Sequence, residues 1–440
     1  MTPDPQVTPA GGASGWSRLH PLSPLLRGGR VLLAAVALVG QQGLRQASVP
    51  AVLIGLAVLV PAALAIGWVL WRTTRFRLTA TELQVDSGVL RRRSRRVPLA
   101  RLQSVDVVRP FAARVLGLAE LRLEVAGGGR TEAPLAYLAD DEAHRLRGRL
   151  LAAGSIDTTP AGTAGSEPAE PPEAVLVAVP LQALVTSVLL GVPALVTLLL
   201  LIATVPVAVV APRALPGLLS ALAPLGLGTG GFVVRRLLAE YGFTVAEAPD
   251  GLRLRHGLLD TRAQTIPYGR VQGVRVREPL LWRRRGWVRV EVDVAGYAAT
   301  RGQEQSGTSA LLPVAPREFA LALVERVLGA EVPPATVPAP RAARWRAPLS
   351  ARRLRVGLGA RHLVSTSGVF TTTTDVVPLA KVQSLRLAQG PWQRRLGLAS
   401  VHADTAGRRL PGAVARHRSA AQAQALLEEL TQRARELRRG

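Results

Sequence analysis

The stretch VPLARLQSV, Val97 to Val105, returns as IPYGRVQGV, Ile266 to Val274, and again as VPLAKVQSL, Val377 to Leu385. Ten residues before the proline of each copy stands a glycine, Gly88, Gly257 or Gly368. A second glycine falls 29 positions after the first, at Gly117, Gly286 and Gly397, with Arg114, Arg283 and Arg394 three residues ahead of it. Further on, Ala126-Gly127, Ala295-Gly296 and Ala406-Gly407 keep the same register. Chance does not hold four spacings through three copies, so the chain reads as one module used three times, and its function belongs to the array.

Within each copy the apolar period is two. Leu121, Leu123 and Val125 alternate with Arg122 and Glu124, and Val288, Val290, Val292 and Val294 alternate with Arg289, Glu291 and Asp293. That is the pattern of half-buried antiparallel strands. Each copy closes on a helical pattern. The first starts at Asp140, the second carries Pro316 in its first turn, and the third opens with Ser419 and Gln422 at capping-box spacing. Strands followed by one amphipathic helix predict a small sheet or barrel plugged by that helix.

Two pairs of apolar stretches stand outside the repeats. Val31 to Leu44 and Val49 to Trp71 form the first; Val175 to Ala211, which has no charge, and Ala214 to Val234 form the second. At roughly 20 residues per crossing, these read as two transmembrane hairpins. Arg18, Arg27 and Arg30 precede the first hairpin and Arg72, Arg75 and Arg77 follow it, whereas its loop holds Arg45 alone. Arg235 and Arg236 follow the second hairpin, and Arg213 sits in its loop. Such flanks put the N-terminus and all three repeats in the cytoplasm. The expected layout is an N-terminal tail (1–26), hairpin 1 (27–71), repeat 1 (72–153), a linker (154–173), hairpin 2 (174–238), repeat 2 (239–330), a linker (331–348) and repeat 3 (349–440). On this reading repeat 3 is tethered to repeat 2.

The chain has 55 basic and 30 acidic residues, a net charge of +25, nearly all of the bases being arginine. Dense phosphate, on a nucleic acid or an anionic bilayer, suits that balance. With no cysteine, disulfides, thiolate metal sites and a cysteine nucleophile are excluded. The first residues, Met1 to Ser14, lack the pattern of a cleaved signal peptide.

These features resemble the bacterial pleckstrin-homology-like (PH-like) domains of the YdbS and YdbT type. The resemblance rests on SGVL at Ser87 to Leu90, on the three copies of the opening motif and on RVLGLAEL at Arg114 to Leu121, with counterparts at Arg283 to Trp287 and Arg394 to Leu398. It implies α-helical membrane hairpins plus three α+β modules, each a seven-stranded PH-like antiparallel β-barrel or sandwich with a C-terminal helix. It implies no reaction, since fold alone does not license function.

The expected function is therefore a non-enzymatic, multi-pass protein of the cytoplasmic membrane whose modules bind protein, peptide or anionic lipid, an envelope adaptor or scaffold. An accessory component of a transporter is the alternative. The expected partners are the lipid bilayer and other membrane proteins, a smaller PH-like protein among them, with no nucleic acid; no catalytic, metal or cofactor residues are assigned.

Three clusters are candidates for binding anionic lipid or a partner. Arg91, Arg92, Arg93, Arg95 and Arg96 form a run in repeat 1, where each base near an anionic leaflet contributes about 1 kcal/mol. Trp282, Arg283, Arg284 and Arg285 in repeat 2, and Trp392, Arg394 and Arg395 in repeat 3, mix bases with an aromatic, as a membrane interface favours. Core packing of the tryptophans is the competing reading. The recurring Arg101, Arg270 and Lys381, and Gln103, Gln272 and Gln383, read as structural groups that satisfy backbone between strands. Gly226 and Gly230 have the spacing of close helix packing. Asp140, Asp141 and His144, like His402 and Asp404, are too few to hold a metal.

Overall fold

The computed structural model describes residues 17–18, 20–21, 23, 49–79, 81–88, 93–99, 102–125, 135–154, 174–248, 251–295, 310–406 and 412–439. The chain divides into two compact units, Met1–Thr163 and Ala164–Gly440. The first holds one module and the second holds two.

Module 1 begins before its apolar helix. Strand β1 (Ser17–Arg18) lies in the segment read as a tail, and it pairs with the strand that follows helix α1 (Val49–Thr73). That strand is β2 (Arg75–Leu78), and β3 (Glu82–Ser87) and β4 (Arg93–Pro98) complete a four-stranded antiparallel sheet. A second, three-stranded run follows: β5 (Leu102–Arg109), the short helix α2 (Phe111–Val115), β6 (Leu118–Val125) and β7 (Leu135–Ala139). Helix α3 (Asp140–Gly154) closes the module, putting Ala143, Leu146 and Leu150 onto Phe76, Leu83, Val97, Leu121 and Leu123. The apolar stretch Val31 to Leu44 lies outside the described residues.

Module 2 repeats this plan. Ala174–Ala178, expected to open the second hairpin, is instead strand β8, because Val175 and Val177 pair with Ala246 and Val245. The apolar helices are thus inserted between a first and a second strand. They are α4 (Leu181–Leu189), α5 (Val192–Ile202), α6 (Thr204–Val210) and α7 (Leu215–Glu240). Then come β9 (Thr244–Ala248), β10 (Gly251–His256), β11 (Thr261–Ile266) and β12 (Val271–Pro279), the short helix α8 (Leu280–Arg283), β13 (Trp287–Val294), β14 (Ala310–Pro316) and the closing helix α9 (Arg317–Leu328). Pro316 ends β14 and precedes the first turn of α9. Along β13 the valines are buried as the alternation predicts, but Glu291 and Asp293 are buried too. Both faces of β13 are covered, and Glu291 meets Arg277 and Arg289 at 3.1 and 3.2 Å.

In module 3 the first strand is β15 (Val337–Pro338), inside the expected linker. Where the other two modules insert apolar helices, this one has a short loop with the turn α10 (Ala343–Arg346). Strands β16 (Arg355–Leu358), β17 (His362–Ser367), β18 (Thr371–Pro378) and β19 (Val382–Ala388) follow. The short helix α11 (Pro391–Arg395), β20 (Leu398–Thr405), β21 (Val414–Ser419) and α12 (Ala420–Arg439) complete the module. The capping box at the start of α12 forms as its sequence predicts: the Gln422 amide donates to Ser419 Oγ at 3.2 Å, and the Ser419 amide to Gln422 Oε1 at 3.3 Å.

Modules 2 and 3 are not tethered but share a sheet. β12 pairs with β18 from Val274↔Val376 to Pro279↔Thr371, giving one seven-stranded sheet in the order β14-β13-β12-β18-β17-β16-β15. Arg275 Nε lies 2.5 Å from Asp375 Oδ1 across this seam, and Lys381 Nζ donates to the Gly269 carbonyl at 2.8 Å. The expected linker is docked as well: a Cβ at Gly357 would stand 2.3 Å from the Pro334 carbonyl oxygen, so only glycine permits that approach.

The repeated motif now has a physical account. Gly257 and Gly368 hold φ of +108° and +102° in the turn between the third and fourth strands, where a Cβ would run into the Asp260 or Thr371 carbonyl. The glutamine sits at an irregularity in strand register in all three modules, between Leu102 and Ser104, Val271 and Gly273, and Val382 and Ser384. Gln272 Nε2 donates to the Arg270 carbonyl at 3.2 Å, satisfying backbone beside the bulge.

Candidate functional site

Each module places a short helix between its fifth and sixth strands and ends it on a glycine in left-handed conformation, Gly117, Gly286 or Gly397 at φ +66°, +62° and +62°. These tips carry two of the three clusters read from sequence. In α2 the exposed Phe111 lies under the Arg114 guanidinium at 5.7 Å. In α11 the exposed Trp392 lies under that of Arg395 at 5.6 Å. The motif is a cation over an aromatic, held out from the sheet.

The tip of module 2 differs, and here the sequence expectation is corrected. Trp282 is 1% exposed and its indole N–H donates to the Ser187 carbonyl of α4 at 3.0 Å. It fastens the start of the apolar insertion to the module and is closed to a headgroup or a partner. Arg283 is likewise engaged, donating to Thr372 Oγ1 at 2.5 Å and to the Val369 carbonyl at 3.2 Å in module 3. Arg284 and Arg285 are exposed, with Arg285 over Trp287 at 5.1 Å.

In the first cluster, Arg93, Arg95 and Arg96 lie on β4, with Arg95 and Arg96 exposed and Arg96 4.0 Å from Glu82. Arg91 and Arg92 lie outside the described residues, as does the side chain of Arg93.

The loop of module 3 adds residues that were not among the sequence candidates, Trp345 from the expected linker and Leu349 from the start of the expected repeat 3. Ala343 and Ala351 are buried in a cluster with Leu396 and Leu398, which follow α11 directly. That anchoring leaves Trp345, Leu349 and, on the β17–β18 turn, Phe370 at 84, 75 and 66% exposure. Arg418, 2% exposed, donates to the carbonyls of Val337 and Pro338 at 3.0 and 2.8 Å and so fixes the strand that leads into the loop. Burial lowers the Arg418 guanidinium to about 10. The alternation Arg344-Trp345-Arg346 was the sequence signal for this patch.

The apolar insertion meets module 2 through buried charge. Glu240, at the end of α7 and 1% exposed, accepts Arg236 at 3.2 Å and Arg289 of β13 at 2.7 Å. Next to it His256 stacks on Phe243, with Nδ1 2.8 Å from the Ala239 carbonyl. Val192–Val210 and Pro212–Glu240, 19 and 29 residues, are long and apolar enough to cross a membrane, and neither window is buried. Gly226 and Gly230 do not meet a helix neighbour, since a Cβ on either would enter open space; the polar contact between α5 and α7 is Thr197 Oγ1 to Thr229 Oγ1 at 2.8 Å. Among the described residues no group of three or more His, Asp or Glu is placed to hold a metal ion.

The family model of the bacterial PH domain matches this chain three times, over residues 31–154, 175–331 and 319–434. The chain belongs to the bacterial PH domain family. Two of the three matched ranges begin before or within the apolar insertion, as the interleaving of strands and apolar helices requires. The chain is also similar to the UPF0699 transmembrane protein YdbT of Bacillus subtilis (strain 168), 27% identical over 95 residues, which are 21% of this chain and 19% of that one. No solved structure gives a significant match. Three PH modules, two apolar helices of spanning length and a transmembrane relative together make this a membrane-associated PH-domain protein.

Proposed function

We propose that this chain is a multi-pass protein of the cytoplasmic membrane that holds three PH modules on the cytoplasmic side as a non-enzymatic adaptor or scaffold. The observation that carries the reading is the insertion of α4 to α7 between β8 and β9, closed at its far end by the buried Glu240–Arg289 pair. A module built around its own apolar helices has little freedom to leave the bilayer, and the shared sheet joins module 3 to module 2. Exposed arginine–aromatic tips then supply the contact groups for protein, peptide or anionic lipid. A smaller PH-like protein is one partner that this reading expects.

Two experiments test it. A reporter fused after Gly440 gives a cytoplasmic signal on this reading, and a periplasmic signal overturns the orientation. Crosslinking in cells from a photoreactive residue at Trp392 yields a discrete adduct with a membrane protein or lipid. Absence of any adduct, together with turnover of a substrate by the purified chain, overturns the adaptor role.

A further inference from the structure

The loop of module 3 occupies the topological slot that modules 1 and 2 fill with apolar helices, between the first and second strands. It keeps the chemistry of a membrane contact without the length to cross. Trp345 and Leu349 are exposed at 84 and 75%, while Ala343 and Ala351 hold the loop onto Leu398 from the other side. Trp392, 66% exposed, lies on α11, which the loop approaches at two points: Leu396 joins the same cluster, and Gln393 hydrogen-bonds His417, which lies within reach of the Arg346 charge. Arg344, Arg346 and Arg395 are exposed, Arg344 and Arg346 flanking Trp345 in the chain and Arg395 lying over the Trp392 ring, and no Asp or Glu occurs between Val332 and Thr374.

The patch continues towards the apolar helices. Arg353 of the loop donates to Thr372 Oγ1 at 3.0 Å, the Leu280 amide donates to the Phe370 carbonyl at 2.7 Å, and Trp282, two residues after Leu280, donates to Ser187 of α4. Large exposed apolar groups rimmed by one sign of charge mark an interaction site. Tryptophan seats at headgroup depth and arginine draws anionic lipid.

We infer that Trp345, Leu349 and Trp392, together with Arg344, Arg346 and Arg395, form an interfacial anchor that lays module 3 on an anionic bilayer surface. The inference rests on the membrane embedding of α5 to α7. It gives the third module its own hold on the membrane where no hairpin supplies one.

The full chain has no cysteine, so single labels report cleanly. L349C and V209C, the latter at an exposed position of α6, are labelled with an environment-sensitive fluorophore. Each is reconstituted in nanodiscs of phosphatidylcholine alone or with phosphatidylglycerol, and read against lipids carrying a nitroxide near the headgroup or in the chain. L349C is expected to shift to the blue and to be quenched by the headgroup nitroxide, more strongly with phosphatidylglycerol. R344E/R346E on that background loses the phosphatidylglycerol-dependent part. A water-like L349C signal, equal in both discs while V209C is quenched by the chain nitroxide, overturns the anchor and leaves the embedding intact. Quenching that survives R344E/R346E unchanged overturns the assignment to anionic lipid. If V209C itself is unquenched, the embedding fails and the anchor with it.

Discussion

Glu240 and Arg289 are 2.7 Å apart with their side chains 1 and 15% exposed, joining the last residue of an apolar helix to the central strand of module 2. Removing the carboxylate takes the shared partner from Arg236 and Arg289 and leaves Arg289 with Glu291, a loss of about 3 kcal/mol. E240A is expected to lower the denaturation midpoint of detergent-solubilised protein by that order. E240A/R289M recovers much of it, because the pair itself adds little over well-packed apolar groups. A double variant no more stable than E240A would show that Arg289 is not the group stranded by the substitution.

Trp282 ties α4 to module 2 through one hydrogen bond to Ser187. W282F keeps an aromatic ring but loses that bond, about 1 kcal/mol, and leaves a cavity where the larger indole stood, which adds to the cost. Amide exchange along 181–189 should quicken in W282F and stay unchanged in R284E/R285E, whose side chains are exposed. Equal exchange in W282F and the native protein would remove Trp282 from this role.

Gly368 and Gly397 both have positive φ, yet they differ in surroundings. A Cβ at Gly368 would stand 1.9 Å from the Thr371 carbonyl oxygen, a direct clash, whereas one at Gly397 would meet nothing within 4 Å. G397A should cost about 1–2 kcal/mol, the left-handed penalty alone. G368A must cost more or displace the β17–β18 turn, and thermal unfolding of the two variants ranks them.

Asp375 reaches Arg275 across the seam between modules 2 and 3, although burial pushes its carboxyl above the usual range against the pull of that guanidinium. D375A removes a charged hydrogen-bond partner of Arg275 on β12, a loss of about 1.5–3 kcal/mol. Exchange of the Val274 and Val276 amides should quicken in D375A, and less in D375N, which can still accept a hydrogen bond. Unchanged exchange in D375A would mean that the backbone ladder alone holds the seam.

His256, His362, His402 and His417 are all held below the usual imidazole value, burial being the leading cause in each. A lowered histidine disfavours the charged form in the fold, so the unfolded chain takes up the proton first as pH falls. Their contribution to stability is whole above about pH 6.5 and is lost below it. Thermal unfolding should therefore come earlier at about pH 5.5 than at about pH 7.5. H256F, which keeps the stack on Phe243, should narrow the difference; if it does not, the acid sensitivity lies with the other three.

The modules were legible because their signals are local. Gly257 and Gly368 are forced by turns, and Gln103, Gln272 and Gln383 mark one bulge three times, so the register survives divergence. The first strand of each module was not legible. Ser17–Arg18 and Val337–Pro338 are two residues long, and Ala174–Ala178 is apolar enough to merge with the helix that follows. Their pairing partners lie beyond an insertion, and periodicity cannot report a partner so far along the chain. Trp282 and Trp392 show the same limit at the tips. Trp282 stands four residues before its glycine and Trp392 five, so the short helix turns them to different faces, and one is buried against α4 while the other faces outward.

The sheet shared by modules 2 and 3 gives the chain a direction. The fifth strand of module 2 is paired from Val274 to Pro279 with the fourth strand of its successor, whereas its counterpart β19 is exposed at most positions and has β20 as its one paired strand among the described residues. Arg386 on β19 is tied to Asp404 at 2.6 Å, placing a charged pair on an edge that would otherwise invite another strand. The bidentate Arg386–Asp404 pair thus disfavours addition of another strand at β19, so charge guards in module 3 an edge that strand pairing covers in module 2.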